Sequence, residues 1–331
     1  MSTGLHLDLS YADHETGLRH PESPERIRAV AEALEFSGAR ASCVPLPGRS
    51  VTNDDLRLVH AETYLATVIA EVDGSSSGQL STGDTNFGPH SLEVARAAVG
   101  GALAAVDAVV AGTVSNAFCA LRPPGHHATA DRGMGFCLFN NAAIAARYAQ
   151  QVHGLERVVI IDWDVHHGNG TQDIFYEDPS VFYFSTHQHP WYPGSGLKQE
   201  TGRGRGEGST LNVPLPSGSG MAEIGAAFRG PFFEKMATFR PDLVIISAGF
   251  DSRQGDPLGQ FTLTDADFAE LTKLLLELAE KSAAGRLVSL LEGGYSLTGL
   301  ASAVASHVGA LQGTANPPAF KSPPPRATPS P

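Results

Sequence analysis

Short runs of β-branched and aromatic residues alternate along this chain with longer stretches in which apolar positions recur every three or four residues. Five of the short runs are apolar almost throughout: Ala117–Leu121, Arg157–Ile161, Val181–Ser185, Leu243–Ser247 and Leu287–Leu291. Continuous rather than alternating runs suit parallel strands covered by helices on both faces. Helical patterns begin near Pro24 and cover about Leu92–Ala111, Asn140–Val152, Met221–Phe239 and Thr264–Ala284. Ser23 reads as an N-cap with Pro24 at the first helical position. Thr264 reads as another N-cap, with Asp267 completing a near capping box. Repeated βα units predict an α/β fold, a single-domain three-layer α/β/α arrangement around a mostly parallel central sheet.

The segments that follow the strands are more distinctive than the strands. After AFCAL comes RPPGHHA, after RVVII comes DWDVHHGNG, after VFYFS comes THQHPWYPG, after LVIIS comes AGFDS, and after LVSLL comes EGGY. Ligands of open parallel sheets bind just outside the carboxyl ends of the strands. Five strands therefore deliver polar, glycine-rich loops to one edge.

Composition narrows what those loops meet. The 331 residues carry 23 Lys+Arg against 35 Asp+Glu, a formal net charge of −12, and such an acidic chain has no spare positive charge for direct binding of nucleic acid. With 42% hydrophobic and 18% charged residues it is not an intrinsically disordered chain. No apolar run approaches the ~20 residues that cross a bilayer, so no membrane association is expected. MSTGLHLDLS lacks the charged and apolar parts of a signal peptide, and a cytoplasmic location is expected. Three cysteines without a CxxC support neither a disulfide framework nor a thiolate zinc site. From Gly313 the sequence GTANPPAFKSPPPRATPSP is rich in Pro, Ser and Thr, which divides the chain into a catalytic domain, 1–312, and a disordered tail, 313–331. Seven of the 13 histidines fall between positions 126 and 189.

If the strand before Asp162 stays extended, Asp162, Asp164 and His166 face one way, so Asp164 and His166 can hold one ion. Asp251 supplies a third ligand, and three protein ligands with an open position are the pattern of catalytic zinc. A lone Asp-x-His more often caps a helix or a loop; convergence of several loops is what favours the metal. Adjacent His126 and His127 point apart on an extended segment and suit general acid/base work, with Asp162 and Asn169 as orienting partners. Tyr295 could donate to a developing oxyanion. The segment Gly202–Gly208 departs from GxGxxG at Ser209 and reads as a surface loop.

Taken together, RPPGHHA (122–128), GFCLFNN (135–141), DWDVHHGNG (162–170), STHQHPWYPGSG (185–196), SAGFDS (247–252), GDPLG (255–259) and LEGGY (291–295) resemble, in order, the zinc-dependent histone deacetylase family of the arginase/deacetylase superfamily. The likeness runs from about His20 to Leu311, and its RPPGHHA and HHGNG forms are closer to class II and bacterial members. It implies the arginase/deacetylase fold and one Zn²⁺ on Asp164, His166 and Asp251. It implies His126 and His127 as the acid/base pair, with Asp162 and Asn169 behind them. Asn169 follows the class II pattern where class I carries aspartate. Tyr295 matches the transition-state tyrosine. Phe136 and Trp191 match the aromatics beside the acyl-lysine channel, with Gly135 adding a backbone contact, Asp84 at the entrance and Leu258 at the gatekeeper position. A K⁺ site is implied around Asp162, Asp164, His166, Ser185 and Thr186, mostly through backbone oxygens.

The expected activity is zinc-dependent amide hydrolysis of acetylated lysine in a peptide or protein, or of a small acylated amine, releasing acetate. An acetylpolyamine deacetylase is the alternative; the polyamine-selective relative carries glutamate where this chain has Leu258. A silent acyl-lysine binding module fits less well because Tyr295 and the ligand set are complete, and a binuclear manganese hydrolase lacks its additional aspartates. Fe²⁺ or Co²⁺ also suits Asp/His/Asp. The pattern leaves a homo-oligomer open.

Overall fold

Strands and helices alternate along residues 2–73 and 77–314, which the computed structural model describes. The strands are β1 (Thr3–Leu7), β2 (Val44–Pro45), β3 (Gly78–Gln79), β4 (Asn86–Phe87), β5 (Asn116–Ala120), β6 (Val158–Asp162), β7 (Val181–Gln188), β8 (Thr210–Leu215), β9 (Leu243–Ala248) and β10 (Leu287–Leu291). The helices are α1 (Glu25–Phe36), α2 (Asn53–Arg57), α3 (Glu62–Val72), α4 (Ser91–Val110), α5 (Asn141–His153), α6 (Asn169–Phe175), α7 (Met221–Ala227), α8 (Phe233–Phe239), α9 (Asp265–Ser282) and α10 (Leu297–Leu311). The segment read as a tail lies outside the described residues from 315 onward.

Eight strands form one sheet in the order β2-β1-β5-β10-β9-β6-β7-β8, every neighbouring pair parallel. β5, β6, β7, β9 and β10 are buried along their whole length, which is why they read as unbroken apolar runs. Helices α4 and α5 pack on one face and α1, α9 and α10 on the other, giving three layers around one continuous apolar core. β3 and β4 form a separate two-stranded antiparallel ribbon.

Sequence periodicity and structure part in identifiable places. The stretch Met221–Phe239 is not one helix: α7 and α8 flank a π-helical turn over Phe228–Phe232 that contains Pro231. Proline donates no N–H and its ring collides with the carbonyl four residues back, so the ladder widens there. Phe228 and Phe232 from that turn pack on Phe184 of β7. At α1, Pro24 occupies the cap position itself and Ser23 makes no side-chain cap; the Ser23 carbonyl accepts from the Arg26 amide instead. The capping box at Thr264 and Asp267 forms as the sequence suggests.

β6 and β9 are neighbours, yet the connection out of β6 runs to β7 on one side and that out of β9 runs to β10 on the other. Loops leaving such a pair diverge and open a crevice at the carboxyl edge of the sheet.

Candidate active site and metal centre

The crevice between β6 and β9 brings together Asp164 and His166, just past β6, and Asp251, just past β9. Their donor atoms lie within 4.8 Å of one another, and all three residues are buried. His166 Nδ1 stands 3.0 Å from Asp164 Oδ1 and 3.1 Å from Asp251 Oδ2. The convergence does not come from an extended strand. β6 ends at Asp162, and the chain continues through two successive turns: Asp162 Oδ1 accepts from the Asp164 amide at 3.2 Å, and Asp164 Oδ1 accepts from the His166 amide at 2.9 Å. Aspartate carboxylates that accept from the amide two residues on build such turns. Val165 N–H donates to Asp251 Oδ1 at 2.8 Å and Gly293 N–H to Asp164 Oδ2 at 2.9 Å, so both carboxylates are aimed by backbone from other loops. Only glycine fits at 293, because a Cβ there would stand 2.1 Å from Asp251 Oδ2.

Electrostatically this point calls for a cation. Burial opposes charge on the His166 imidazole, but Asp164 and Asp251 outweigh it and raise its pKa to about 10. Two buried carboxylates and one imidazole nitrogen, all turned toward one place, are a donor set that fits a divalent metal ion.

The segment after β5 carries His126 and His127. Their rings do not point apart: the centroids are 4.0 Å apart with planes tilted by 43°. His126 Nδ1 meets Asp162 Oδ2 at 2.9 Å, and His127 Nδ1 meets Asn169 Oδ1 at 2.8 Å. Asp162 Oδ2 also accepts from the Tyr183 hydroxyl at 3.0 Å. The two imidazoles are driven in opposite directions. Burial disfavours the charge of His126, but Asp162 and Asp164 overcome it and hold its pKa well above the usual value. His127 is pushed well below that value by burial and by the charges of His126 and His166, with no carboxylate to compensate at Asn169. Opposed shifts in neighbouring titratable groups are the environment in which one group gives and the other takes a proton.

Above these groups lies a cavity of about 300 Å³ lined by Asp84, His127, Gly135, Phe136, His166, Trp191, Tyr192, Pro257, Leu258 and Tyr295. All five residues named from the sequence for substrate contact thus stand on one cavity, with Tyr295 and one imidazole of each pair at its wall. Phe136 meets Tyr295 edge-on at 5.9 Å. Gly135 has φ +57°, and a Cβ there would stand 2.2 Å from the His127 ring. The aromatic beside the histidines is Tyr192, however, and not Trp191. Tyr192 meets His127 at 5.2 Å with the planes at 90° and His166 at 6.2 Å, and its hydroxyl donates to Asp84 Oδ2 at 3.0 Å. Trp191 turns its indole N–H to the Leu258 carbonyl at 2.9 Å.

Asp162 pairs with Ser185 in the β6–β7 register, which places two of the residues named for potassium side by side. Ser185 Oγ contacts His187 Nδ1 at 2.8 Å, while the buried Thr186 hydroxyl has no partner. Three of the remaining histidines of the cluster are tied into structure, His167 to Ser195 and Gln172, His187 to the Gly196 carbonyl, and His153 to Asp107, whereas the buried Nδ1 of the fourth, His189, has no hydrogen-bond partner among the described residues. The sequence assigns no role to Glu292, which accepts from the Gly125 and His126 amides at 2.6 and 3.1 Å, or to Pro257 of the cavity. The WYPG motif signals a pair of aromatics but not which of them turns inward, because a loop has no periodicity to orient it.

Converging acidic donors beneath an apolar cavity, beside two carboxylate- or amide-anchored imidazoles, define a hydrolytic centre of the amide-cleaving type. Comparison with known proteins agrees: a sequence profile described as "Histone deacetylase domain" matches residues 20–311, and the chain belongs to that family. It is 40% identical over 311 residues to "Histone deacetylase 14, chloroplastic" of Arabidopsis thaliana, covering 89% of this chain and 73% of that protein. It is 41% identical over 280 residues to "Histone deacetylase-like amidohydrolase" of Pseudomonas aeruginosa, covering 84% and 73%. With "Polyamine deacetylase HDAC10" of Homo sapiens it shares 42% identity over 308 residues, 90% of this chain and 45% of that one. The solved structure of the HDA15 HD domain superposes with a TM-score of 0.89 at 38% identity, covering 96% of this chain and 90% of that one. The chain is accordingly a hydrolase acting on amides, a deacetylase in the general sense. Among the described residues no helix is long and apolar enough to cross a membrane.

Proposed function

We propose that the protein removes acetyl groups from N-acylated lysine with a Zn²⁺ ion held by Asp164, His166 and Asp251. The observation that carries this reading is the meeting of those three buried donors, one of which, His166, lines the cavity that Phe136, Tyr192 and Leu258 also wall. A zinc ion held there would supply Lewis-acid polarisation of the amide carbonyl and of the attacking water. The residues of the chain do the rest. His127, whose Nδ1 is held by Asn169, leaves Nε2 free to take the proton of the attacking water. The Tyr295 hydroxyl donates to the oxygen that gains negative charge. A protonated imidazole of the pair, with His126 anchored by Asp162, returns a proton to the leaving amine, so that acetate and a free amine result. Phe136 and Tyr192 hold the aliphatic stem of the acyl-lysine between their faces, with Gly135, Trp191 and Leu258 completing the wall and Asp84 at its mouth. The unpartnered Thr186 hydroxyl beside Ser185 is consistent with a K⁺ ion near Asp162, Asp164 and His166.

The polyamine reading has support in the 42% identity to a relative named for that activity. Against it, apolar Pro257 and Leu258 line the cavity, and Asp84, its one carboxylate outside the metal trio, is already engaged by the Tyr192 hydroxyl and the Gly135 amide. The test is kcat/KM for an acetyl-lysine peptide against N-acetylputrescine, with and without chelator followed by zinc. We expect the peptide to be preferred, activity to vanish on chelation and to return with zinc. Preference for the acetylputrescine would replace acyl-lysine with the polyamine, and zinc-loaded protein inert toward both would sink the reading.

A further inference from the structure

Asp256 makes no hydrogen bond to a reacting side chain among the described residues, yet its buried carboxylate accepts three backbone N–H bonds from two different loops. Oδ2 takes the amides of Tyr295 at 2.7 Å and Ser296 at 3.0 Å, and Oδ1 takes the amide of Leu258 at 2.9 Å. The first two amides belong to the turn after β10 that carries Tyr295; the third belongs to the segment after β9 that walls the cavity. Leu258 in turn receives the Trp191 indole N–H on its carbonyl. One carboxylate therefore links the tyrosine turn, the Leu258 wall and, through it, the Trp191 loop.

The tyrosine turn has little stiffness of its own. Gly293 and Gly294 precede Tyr295, and Gly294 sits at φ +122°, a conformation that glycine tolerates and that gives no side-chain hold. The turn is fixed from outside at both ends. Arg26 donates to the carbonyls of Glu292 and Gly294 before the tyrosine, and Asp256 accepts from the amides of Tyr295 and Ser296 at and after it. A shift of about 1 Å in a reacting group costs about 100-fold in rate.

We propose that Asp256 is a positioning residue that sets the Tyr295 hydroxyl over the cavity and couples it to the Leu258 wall. The inference rests on the reading of Tyr295 as the oxyanion donor. Its two oxygens do separable jobs, and the asparagine variant separates them. A carboxamide has one acceptor and one donor end. With its oxygen kept on the Tyr295 and Ser296 amides, its NH₂ faces the Leu258 N–H, donor against donor, and the wall is released while the tyrosine turn stays.

The experiment compares full-length, zinc-loaded wild type, Asp256→Ala and Asp256→Asn. It measures metal content, backbone hydrogen exchange over 294–297 and 257–260, and kcat and KM for an acetyl-lysine peptide, with Tyr295→Phe as a second background. Asp256→Ala should keep its metal, exchange faster in both segments, and lose kcat by about 10- to 100-fold. Asp256→Asn should exchange faster over 257–260 only, with kcat within about threefold of wild type and KM raised. In the Tyr295→Phe background, Asp256→Ala should cost no further kcat, since the group it positions is gone. Unchanged exchange over 294–297 in Asp256→Ala, or a kcat loss as large with Tyr295→Phe as without it, would overturn the proposal. If Asp256→Ala does not fold, Asp256→Asn alone decides: faster exchange over 294–297 with 257–260 unchanged contradicts the assignment of the two oxygens. Should the wild type turn over no peptide at all, the deacylase reading fails, and the exchange pattern still tells whether Asp256 holds the turn.

Discussion

Tyr295 lines the cavity and Asp251 stands with His166, which also lines it, but the two should fail differently when altered. Tyr295→Phe removes one donor and no ligand. Losing a single oxyanion donor lowers kcat by about 10²- to 10³-fold, and the expected variant keeps full metal content with KM little changed. Asp251→Ala removes a proposed zinc ligand and the acceptor of the Val165 amide, and should lose both the metal and the activity. Elemental analysis beside steady-state kinetics separates the two; a Tyr295→Phe protein of wild-type rate would remove the oxyanion role. Much of this site was legible in the sequence because its residues come in short, ordered motifs, and Asp164, His166, His126, His127 and Tyr295 could be named without coordinates. What stayed hidden were contacts made from a distance. Glu292 reaches the Gly125 and His126 amides across more than 160 positions, and nothing in EGGY announces it. Tyr192 rather than Trp191 facing the histidines is likewise a matter of loop direction, which residue type does not encode.

Helix α9 shows what local chemistry fixes by itself. Thr264 Oγ1 accepts from the Asp267 amide, and the Asp267 carboxylate accepts from the Thr264 amide and hydroxyl. Thr264→Ala should cost about 1 kcal/mol in urea denaturation and leave activity unchanged, because the cap is exposed and lines no part of the cavity. A loss of activity at full stability would mean that α9 communicates with the site. Strong elements of this sort, with caps and clear periodicity, could be read directly, as could the fully buried strands. Several of those that escaped have a pattern atypical for a structural reason, although β1 and α3 escaped with ordinary ones. β8 carries Pro214 and Asn212 within TLNVPL, which a sheet edge tolerates and a central strand does not. α10 is buried on every side from Gly299 to Leu311, so it presents no polar stripe and hence no 3.6-residue signal. β2, β3 and β4 are two residues each, too short to leave a pattern.

At the scale of the whole molecule, the carboxyl edge of the sheet is held together by buried charge. Glu22 is wholly buried, with Arg26 and Arg122 both on its carboxylate; Arg122 also donates to the His14 carbonyl, and Arg26 reaches the turn of Tyr295. One carboxylate thus joins the segment before α1, the loop after β5 and the turn after β10. Burial alone would push Glu22 up, but Arg122 and then Arg26 outweigh it and hold its pKa at about 2, against an ordinary value of 4.5. A depressed folded pKa means that the unfolded chain takes the proton first. The contribution of Glu22 is therefore fully present above about pH 4.5 and is lost as pH falls toward about 2. His14 and His60, lowered by burial to about 4, and His307, lowered to about 3, act in the same sense from pH 6.5 downward. Each of these groups therefore withdraws stability on acidification, the histidines below about pH 6.5 and Glu22 below about pH 4.5. Glu22→Gln leaves two buried guanidiniums without their counter-charge and should lower stability near pH 7 by about 3 to 5 kcal/mol. The gap between wild type and variant reads Glu22 together with His14, whose ring nitrogen lies 3.6 Å from its carboxylate, apart from the acid-sensitive groups elsewhere in the molecule. That gap should stay constant above about pH 4.5 and close below it, as read from urea denaturation across pH 3 to 8. A gap that widens on acidification would mean that the Arg26 and Arg122 charges do not stabilise ionised Glu22.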